Sequence, residues 1–290
     1  MGLGPRFRCG FLFIIAFSPI FARSINAQGR HFLWRLTNRP QPFYLLGSVH
    51  ALRASDYPLG HEIDNAIEQS RRIIFEYDNY HVDEGTWRRK MRAEVHYPAG
   101  INLRQKISPK TYSYLQSIAG VQSSEYDDVR PWAIACLMLR HPFYHDVRSY
   151  YGIENYVLRR AKASAEFGGL ETLDQHIHVL SGMSDVESEV FLLQTLVHPG
   201  RNEAEMASLI AAYKRGDTAA VATVDAERER GAPSLYRRLI TNRNRAWVPR
   251  IETEIRSGKP TMIVVGARHL CGTDSVVSLL QERGYKFEQL

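Results

Sequence analysis

Two stretches of the chain share one pattern, in which a continuous apolar run stops at a glycine and a histidine follows three residues later. The first stretch extends from Tyr44 to His50, and the second extends from Thr261 to His269. A continuous apolar run of this length is typical of a strand that is buried on both faces of a parallel sheet. Glycine at the strand end permits a turn that a side chain would obstruct. Each histidine is therefore predicted at the carboxyl edge of the sheet, where α/β folds bind ligands.

The local setting of the two G-x-x-H turns is also repeated. Each turn is followed by a helical stretch and then a further apolar run, at residues 60–70 and 73–77 in the first case and at 274–283 and 285–288 in the second. Strand, helix and strand in this order predict a parallel βαβ unit at each end of the chain. Residues 31–36, before the first run, predict an antiparallel hairpin strand toward one sheet edge. We expect both turns to contribute to one site.

The middle of the chain, at about 83–256, has a mostly helical pattern that is interrupted by one short predicted strand near residues 165–171. No Gly/Ser-rich or Pro-rich linker marks a boundary inside it. The predicted fold class is therefore α/β, with a central, mainly parallel sheet built from N- and C-terminal βαβ units and a large helical insertion. Residues 28–290 are predicted to form this single domain.

The first residues differ in kind from the rest of the chain. Two arginines precede an apolar run over residues 10–21, and small residues follow it. This order is typical of a secretory signal peptide, and the run is short for a transmembrane helix. We predict a signal peptide at 1–27, with cleavage after Ala27 favoured over Ala22 and an uncleaved membrane anchor as the alternative. The chain is then expected to be exported, periplasmic or secreted, without a stable membrane span.

Composition narrows the functional classes. The hydrophobic content of 44% is ample for a core, so a disordered chain is not expected. The formal charge of +6 is scattered, and no basic stripe interleaved with aromatic residues indicates nucleic-acid binding. No C-x-x-C pair predicts structural zinc. Cys136 and Cys271 remain after the signal segment, and an exported location permits a disulfide without showing that these two thiols meet.

Candidate chemistry lies at the strand ends. Glu76 ends an apolar run and Glu171 follows a glycine pair, and a carboxylate in such a place is costly unless it is paired, hydrogen-bonded or bound to metal. Together with His50 and His269 these groups suit a divalent transition metal, which can present water at an open coordination position. A metal-free route is equally open, in which a histidine acts as base, a glutamate orients it and Arg243 holds an oxyanion.

Beyond these groups, short motifs in a fixed order identify a family. The chain resembles the TraB/PrgY/GumN group, which is related to the Tiki proteins and more remotely to erythromycin esterases and the haem-binding ChaN proteins. The resemblance spans about residues 33–290 and rests on Leu33-Trp34, Gly47-Ser48-Val49-His50, Phe75-Glu76-Tyr77-Asp78, Arg130-Pro131-Trp132, Gly152-Ile153-Glu154, Gly169-Leu170-Glu171-Thr172, Arg243-Asn244, Gly266-Ala267-Arg268-His269-Leu270, Gly272 and Gly284-Tyr285.

The resemblance implies an α/β core with a large helical part. It also implies a site in which a metal, expected to be zinc, manganese or cobalt, binds His50, Glu76 and His269. Catalytic help is expected from a further set, Glu76, Glu171, Arg243 and Asn244. Because Tiki proteins look like metal-dependent proteases, the expected function is an exported hydrolase of the peptidase type acting on a peptide or small molecule. The alternatives are a non-catalytic binding protein for haem, a peptide or a small ligand, and a metal-free hydrolase of the esterase type.

Three residues depart from the pattern of the resembled family. Arg268 stands where the second G-x-x-H motif usually has glycine, Glu154 replaces a usual aspartate, and Trp247 stands where methionine is common. Arg268 matters most, because a cation beside His269 either repels a metal or binds an anionic substrate. Arg268 therefore bears on whether the site is active, but not on the predicted fold.

Overall fold

A computed structural model describes residues 30–290 except Ala51, Asn79, 120–125, 139–148 and 197–198. The predicted signal peptide lies outside the described residues and stays a prediction. The pair His141 and His145, expected at a helix terminus or loop, also lies outside them. No helix of the described part is long and apolar enough to cross a bilayer.

A six-stranded sheet forms the centre of the fold, in the spatial order β4-β3-β5-β2-β1-β6. The strands are β1 Leu33–Leu36, β2 Phe43–Ser48, β3 Arg72–Tyr77, β4 Glu166–Glu171, β5 Thr261–Gly266 and β6 Phe287–Gln289. The helices are α1 His61–Gln69, α2 Glu84–Val95, α3 Pro109–Ala119, α4 Pro131–Met138, α5 Ile153–Arg160, α6 Leu173–Ser181, α7 Asp185–Leu196, α8 Pro199–Lys214, α9 Thr218–Gly231, α10 Pro233–Tyr236, α11 Asn242–Ser257 and α12 Val276–Gln281.

The α/β fold class predicted from the sequence is confirmed, and so is the antiparallel strand before the first motif. Strands β2, β3, β4 and β5 pair in parallel, whereas β1 runs antiparallel to both β2 and β6. The two predicted βαβ units interleave, because β5 lies between β2 and β3, and β6 lies beyond β1. The two strands that carry the G-x-x-H turns are thus direct neighbours.

The glycines of both turns permit a close approach of backbone. A Cβ atom at Gly47 would lie 3.1 Å from the Cα of Ala267, and one at Gly266 would lie 3.3 Å from Oε1 of Glu76. A larger side chain at either place would have to push the neighbouring turn or carboxylate away. The sequence pattern of apolar run and glycine therefore brings the two turns together at the carboxyl edge of the sheet.

Details of the helical part differ from the sequence pattern. The amphipathic pattern of residues 152–165 predicts a helix over this range, but α5 ends at Arg160. The helical stretch predicted at 274–283 is also shorter in the structure, where α12 spans Val276–Gln281. Strand β4 falls inside the predicted insertion but belongs to the central sheet, as the short strand expected there. Much of the helical part has a core of its own, formed by residues of α3, α4 and α7 around the fully buried Trp132.

No disulfide joins Cys136 and Cys271 in the part of the chain that the structure describes. Cys271 is buried in the core around the central sheet, whereas Cys136 packs against the separate core of the helical part. Burial raises the pKa of the Cys271 thiol, which keeps it protonated and unreactive at neutral pH. Packing is thus the role that the fold gives to Cys271.

Candidate functional site

Arg243 lies at the centre of the group of charged side chains at the carboxyl edge of the sheet. Its Nη2 donates to Oε2 of Glu76 and to Oε1 of Glu171, each at 2.6 Å. Its Nε donates to Oε2 of Glu171 at 3.3 Å. The three side chains are only 8–13% exposed, so their charges interact with little screening by water. Two carboxylates facing one guanidinium leave one formal negative charge in excess.

The first turn of α11 delivers two neighbouring site residues, Arg243 and Asn244. A π-helical turn at Arg237–Thr241 leads directly into this helix. Such turns are frequent at functional sites, because they shift the register of the side chains that follow. One helical turn later, Trp247 is 1% exposed and places its ring 4.5 Å from the guanidinium carbon of Arg243. The tryptophan thus forms the inner wall of the site.

Glu76 is the penultimate residue of β3 and accepts hydrogen bonds from both a main-chain N–H and a side chain. Its Oε1 accepts from the N–H of Gly266 at 2.8 Å, on the neighbouring strand. Burial acts to raise the pKa of Glu76, but Arg243 and the surrounding donors outweigh burial and hold the pKa well below its usual range. Glu76 is therefore a carboxylate at every physiological pH.

Glu171 ends β4 and contacts His176, a residue that is not among the site residues predicted from the sequence. Thr172 caps α6, and His176 follows in the first part of that helix. Its Nδ1 lies 2.7 Å from Oε1 of Glu171, while Nε1 of Trp247 donates to Oε2 at 3.2 Å. His178, two residues further along the helix, is exposed, as the helical spacing of the two histidines predicts. The feature of the sequence that could have placed His176 in the site is its position about one helical turn after a glutamate that ends a strand.

His269 is buried and held in one tautomer. Asn244 donates its Nδ2 to the carbonyl of Asp274 at 2.8 Å, so its Oδ1 faces Nδ1 of His269 at 2.6 Å and must accept from it. Burial, together with Arg243, lowers the pKa of His269 to about 3, so the ring is neutral. Its Nε2 therefore presents a lone pair, 3.8 Å from Oε1 of Glu76 and 3.4 Å from Nη1 of Arg243.

His50, the histidine of the first G-x-x-H motif, also has an oxygen acceptor beside its Nδ1. Its Nδ1 lies 2.7 Å from Oε1 of Glu154, and Ser48 donates its Oγ to the same oxygen at 2.7 Å. The negative charge of Glu154 and this hydrogen bond raise the pKa of His50 to about 9. The side chain of His50 is 78% exposed, so its Nε2 edge is accessible from solvent. Glu154, read from the sequence only as a departure from a usual aspartate, is thus the partner of His50.

The predicted residues are brought together in part. Arg243 contacts Glu76, Glu171 and His269, and Asn244 supports His269. Among the residues that the structure describes, the group whose ligand atoms all lie within 4.8 Å of one another is Glu76, Glu171 and His176. The predicted metal ligands His50, Glu76 and His269 are not such a group, and this ligand set stays a prediction.

The neutral state of buried His269 makes stability depend on pH. Below about pH 6.5, the pKa of histidine in the unfolded chain, His269 is protonated in the unfolded chain. In the folded chain it stays neutral down to about pH 3. Stability from this residue is therefore present above pH 6.5 and is lost as the pH falls through this window. Between pH 7 and 5, wild type should lose about 2 kcal/mol more than His269→Gln.

Urea unfolding at several pH values with chelator present measures this difference. His178→Gln serves as the matched control, because it removes an exposed histidine and should reproduce the wild-type curve. Parallel curves for wild type and His269→Gln would show that His269 is protonated in the folded protein.

Comparisons with known proteins agree with this framework. A family model described as the TraB/PrgY/gumN family matches residues 32–289. An "Uncharacterized protein" of Treponema pallidum (strain Nichols) is 20% identical over 277 residues, which cover 90% of this chain and 83% of that protein. No solved structure matches. The family match extends from β1 to β6 and so includes every strand and every site residue described above.

Proposed function

The chain belongs to the TraB/PrgY/gumN family, and on that premise we propose that it is an exported metal-dependent hydrolase of the peptidase type. The metal is a divalent transition ion, with zinc, manganese and cobalt as the candidates. The observation that carries the proposal is shared by both motif histidines. His50 and His269 each engage Nδ1 with an oxygen acceptor. This leaves Nε2 of neutral His269 with a lone pair, whereas Nε2 of His50, whose pKa is raised to about 9, would bind an ion with release of its proton.

This arrangement is the usual support of a metal-bound histidine. A ligating histidine commonly donates its other ring N–H to a carboxylate or carbonyl oxygen, which fixes the tautomer and orients the ring. Glu154 and Asn244 fill these roles for His50 and His269. The imidazole and carboxylate donors suit a first-row ion, and the excess negative charge around Arg243 favours a cation. The residues thus fit the group in chemistry and charge.

Glu76 and His269 are the residues that would hold the ion, with His50 as the predicted third ligand. His176 and Glu171 offer further donor atoms beside Glu76. A bound divalent ion would polarise a substrate carbonyl and increase the acidity of water. Arg243 stabilises negative charge that develops on the substrate oxygen. Glu171 accepts the proton of the attacking water. Although Glu171 is buried, hydrogen bonds from His176 and Arg243 hold its pKa low, so it is ionised and can accept that proton.

Metal analysis tests this proposal. Purified wild type, reloaded with zinc, manganese or cobalt and dialysed, should retain about one equivalent, and His269→Ala should lose it while staying folded, because deleting a ligand weakens such sites strongly. His178→Ala, which removes an exposed histidine of α6, is the matched control and should keep the ion. Equal metal content in wild type and His269→Ala would refute the assignment.

A metal-free hydrolase is the second candidate, and the position of Arg243 favours it. Its Nη2 contacts Glu76 and Glu171 at the place where an ion would contact them. Its Nη1 lies beside Nε2 of neutral His269. His269 would act as the base and Arg243 would hold the oxyanion. Hydrolysis of a peptide library by chelator-treated, metal-free wild type would support this alternative. Stoichiometric ligand capture without turnover would instead favour the binding protein considered from the sequence.

A further inference from the structure

Arg268, the residue that departs from the family pattern beside His269, has a partner that no motif of the sequence indicates. Its Nε donates to Oδ1 of Asp225, which lies in α9 and is 3% exposed. Helix α9 packs against the turn Ala267–Leu270 that carries His269. The arginine is therefore tied to a buried carboxylate of a helix that supplies no other side chain to the site described above.

The charge of Arg268 reaches the site. Together with burial and Arg243 it contributes to the low pKa of His269. Arg243 already places one guanidinium against Glu76 and Glu171. A second guanidinium without a counter-charge would oppose any divalent ion at this place, because charges in a poorly hydrated site interact over several ångströms. The negative charge of Asp225 cancels the positive charge of Arg268, so the pair adds no net charge beside the site.

We propose that Asp225 compensates the charge of Arg268 and thereby sets the affinity of the site at Glu76 and His269 for a divalent cation. The inference rests on the proposed function, since it concerns the ion that the hydrolase would bind. Asp225 touches neither ion nor substrate and acts through Arg268, so it is a positioning residue. Helix α9 thus allows an arginine in the second G-x-x-H motif without loss of cation binding.

A double-mutant cycle tests this role with manganese alone as the probe. Calorimetric titration of Mn²⁺ into wild type, Asp225→Asn, Arg268→Gln and the double variant Asp225→Asn/Arg268→Gln gives four affinities. Asp225→Asn adds one net positive charge and should bind Mn²⁺ at least about tenfold more weakly. The double variant restores the net charge and should return to within about threefold of wild type. Glu229→Gln, an equal charge change at an exposed position of α9, should leave the affinity unchanged.

Each outcome decides the matter. Wild-type affinity in Asp225→Asn overturns the inference while leaving the proposed function intact. Equal weakness of Asp225→Asn and the double variant also overturns it, because a lost packing contact is not repaired by removing a second group. If none of the proteins binds Mn²⁺, the same titrations are made with Zn²⁺ and Co²⁺, and absence of binding of all three ions overturns the proposed function and the inference with it. Melting temperatures of all variants establish that each one is folded. The double variant replaces both charged groups with amides and so leaves no buried unpaired charge.

Discussion

Replacing Arg243 with methionine is expected to lower the free energy of unfolding by about 3–5 kcal/mol at pH 7, because it removes the cation from a buried ion-pair network. The guanidinium contacts Glu76 and Glu171 at 2.6 Å each, and both carboxylates are at least 87% buried. Without Arg243 they face one another with little water, and methionine fills only the aliphatic part of the lost volume. This is the largest stability effect that we expect from the site.

The pH dependence identifies the cause of that loss. In wild type Arg243 helps to hold the pKa of Glu76 and that of Glu171 below their usual values. In the variant, burial and mutual repulsion raise the pKa values instead. The folded variant then binds protons that its unfolded chain does not, so its deficit should shrink as the pH falls from 7 to 5. Added Mn²⁺ should shrink the deficit in the same way if a divalent ion can replace the guanidinium charge.

Urea unfolding at both pH values measures this effect. Arg245→Met is the matched control on α11, because Arg245 is 63% exposed in its pair with Asp274 and should cost less than about 1 kcal/mol. A deficit in Arg243→Met that stays constant from pH 7 to 5 would assign the loss to packing rather than to the two carboxylates.

Replacing Glu76 with glutamine should reduce hydrolysis at least about 100-fold, since it removes a charge that either candidate mechanism requires. Glutamine keeps the shape and can still accept from the N–H of Gly266, while Arg243 keeps its two contacts with Glu171. The variant should therefore remain folded. Turnover of a peptide substrate selected with wild type, compared with and without chelator, is the measurement.

The combination of variant and chelator separates the mechanisms. Chelator-sensitive wild type with an inactive Glu76→Gln supports the metal-dependent hydrolase. Chelator-insensitive wild type with an inactive variant supports the metal-free route through His269 and Arg243. Glu254→Gln is the control, because Glu254 is similarly buried but pairs with Arg72 outside the site. Undiminished turnover by Glu76→Gln would remove Glu76 from the reaction altogether.

The structure also changes the interpretation of Arg268 and Trp247. In the sequence, Arg268 is a cation that either repels a metal or binds an anionic substrate. In the structure it pairs with Asp225, which on our proposal compensates its charge without adding a ligand. Trp247 replaces a usual methionine and adds an N–H that donates to Glu171 at 3.2 Å. Its ring also lies 4.5 Å from that of His269. Both departures from the family pattern are thus accommodated by partners that are distant in the sequence.

The sequence by itself determined the strands, the two G-x-x-H turns and the residues at their ends. Apolar runs and glycines encode these features locally, since burial on two faces and a tight turn are properties of a few consecutive residues. The carboxyl edge follows from them because parallel strands end on the same side. His50, Glu76, Glu171 and His269 were therefore within reach of sequence reasoning.

Only the tertiary structure decided which of these groups touch one another. Arg243 meets Glu76 across 167 positions of the chain, and Arg268 meets Asp225 across 43. The insertion of β5 between β2 and β3, and the placement of His176 by α6, depend on how distant elements pack. A periodic pattern assigns a residue to a face of its element but does not name its neighbour on another element. The partners of the site were consequently fixed by packing, not by local pattern.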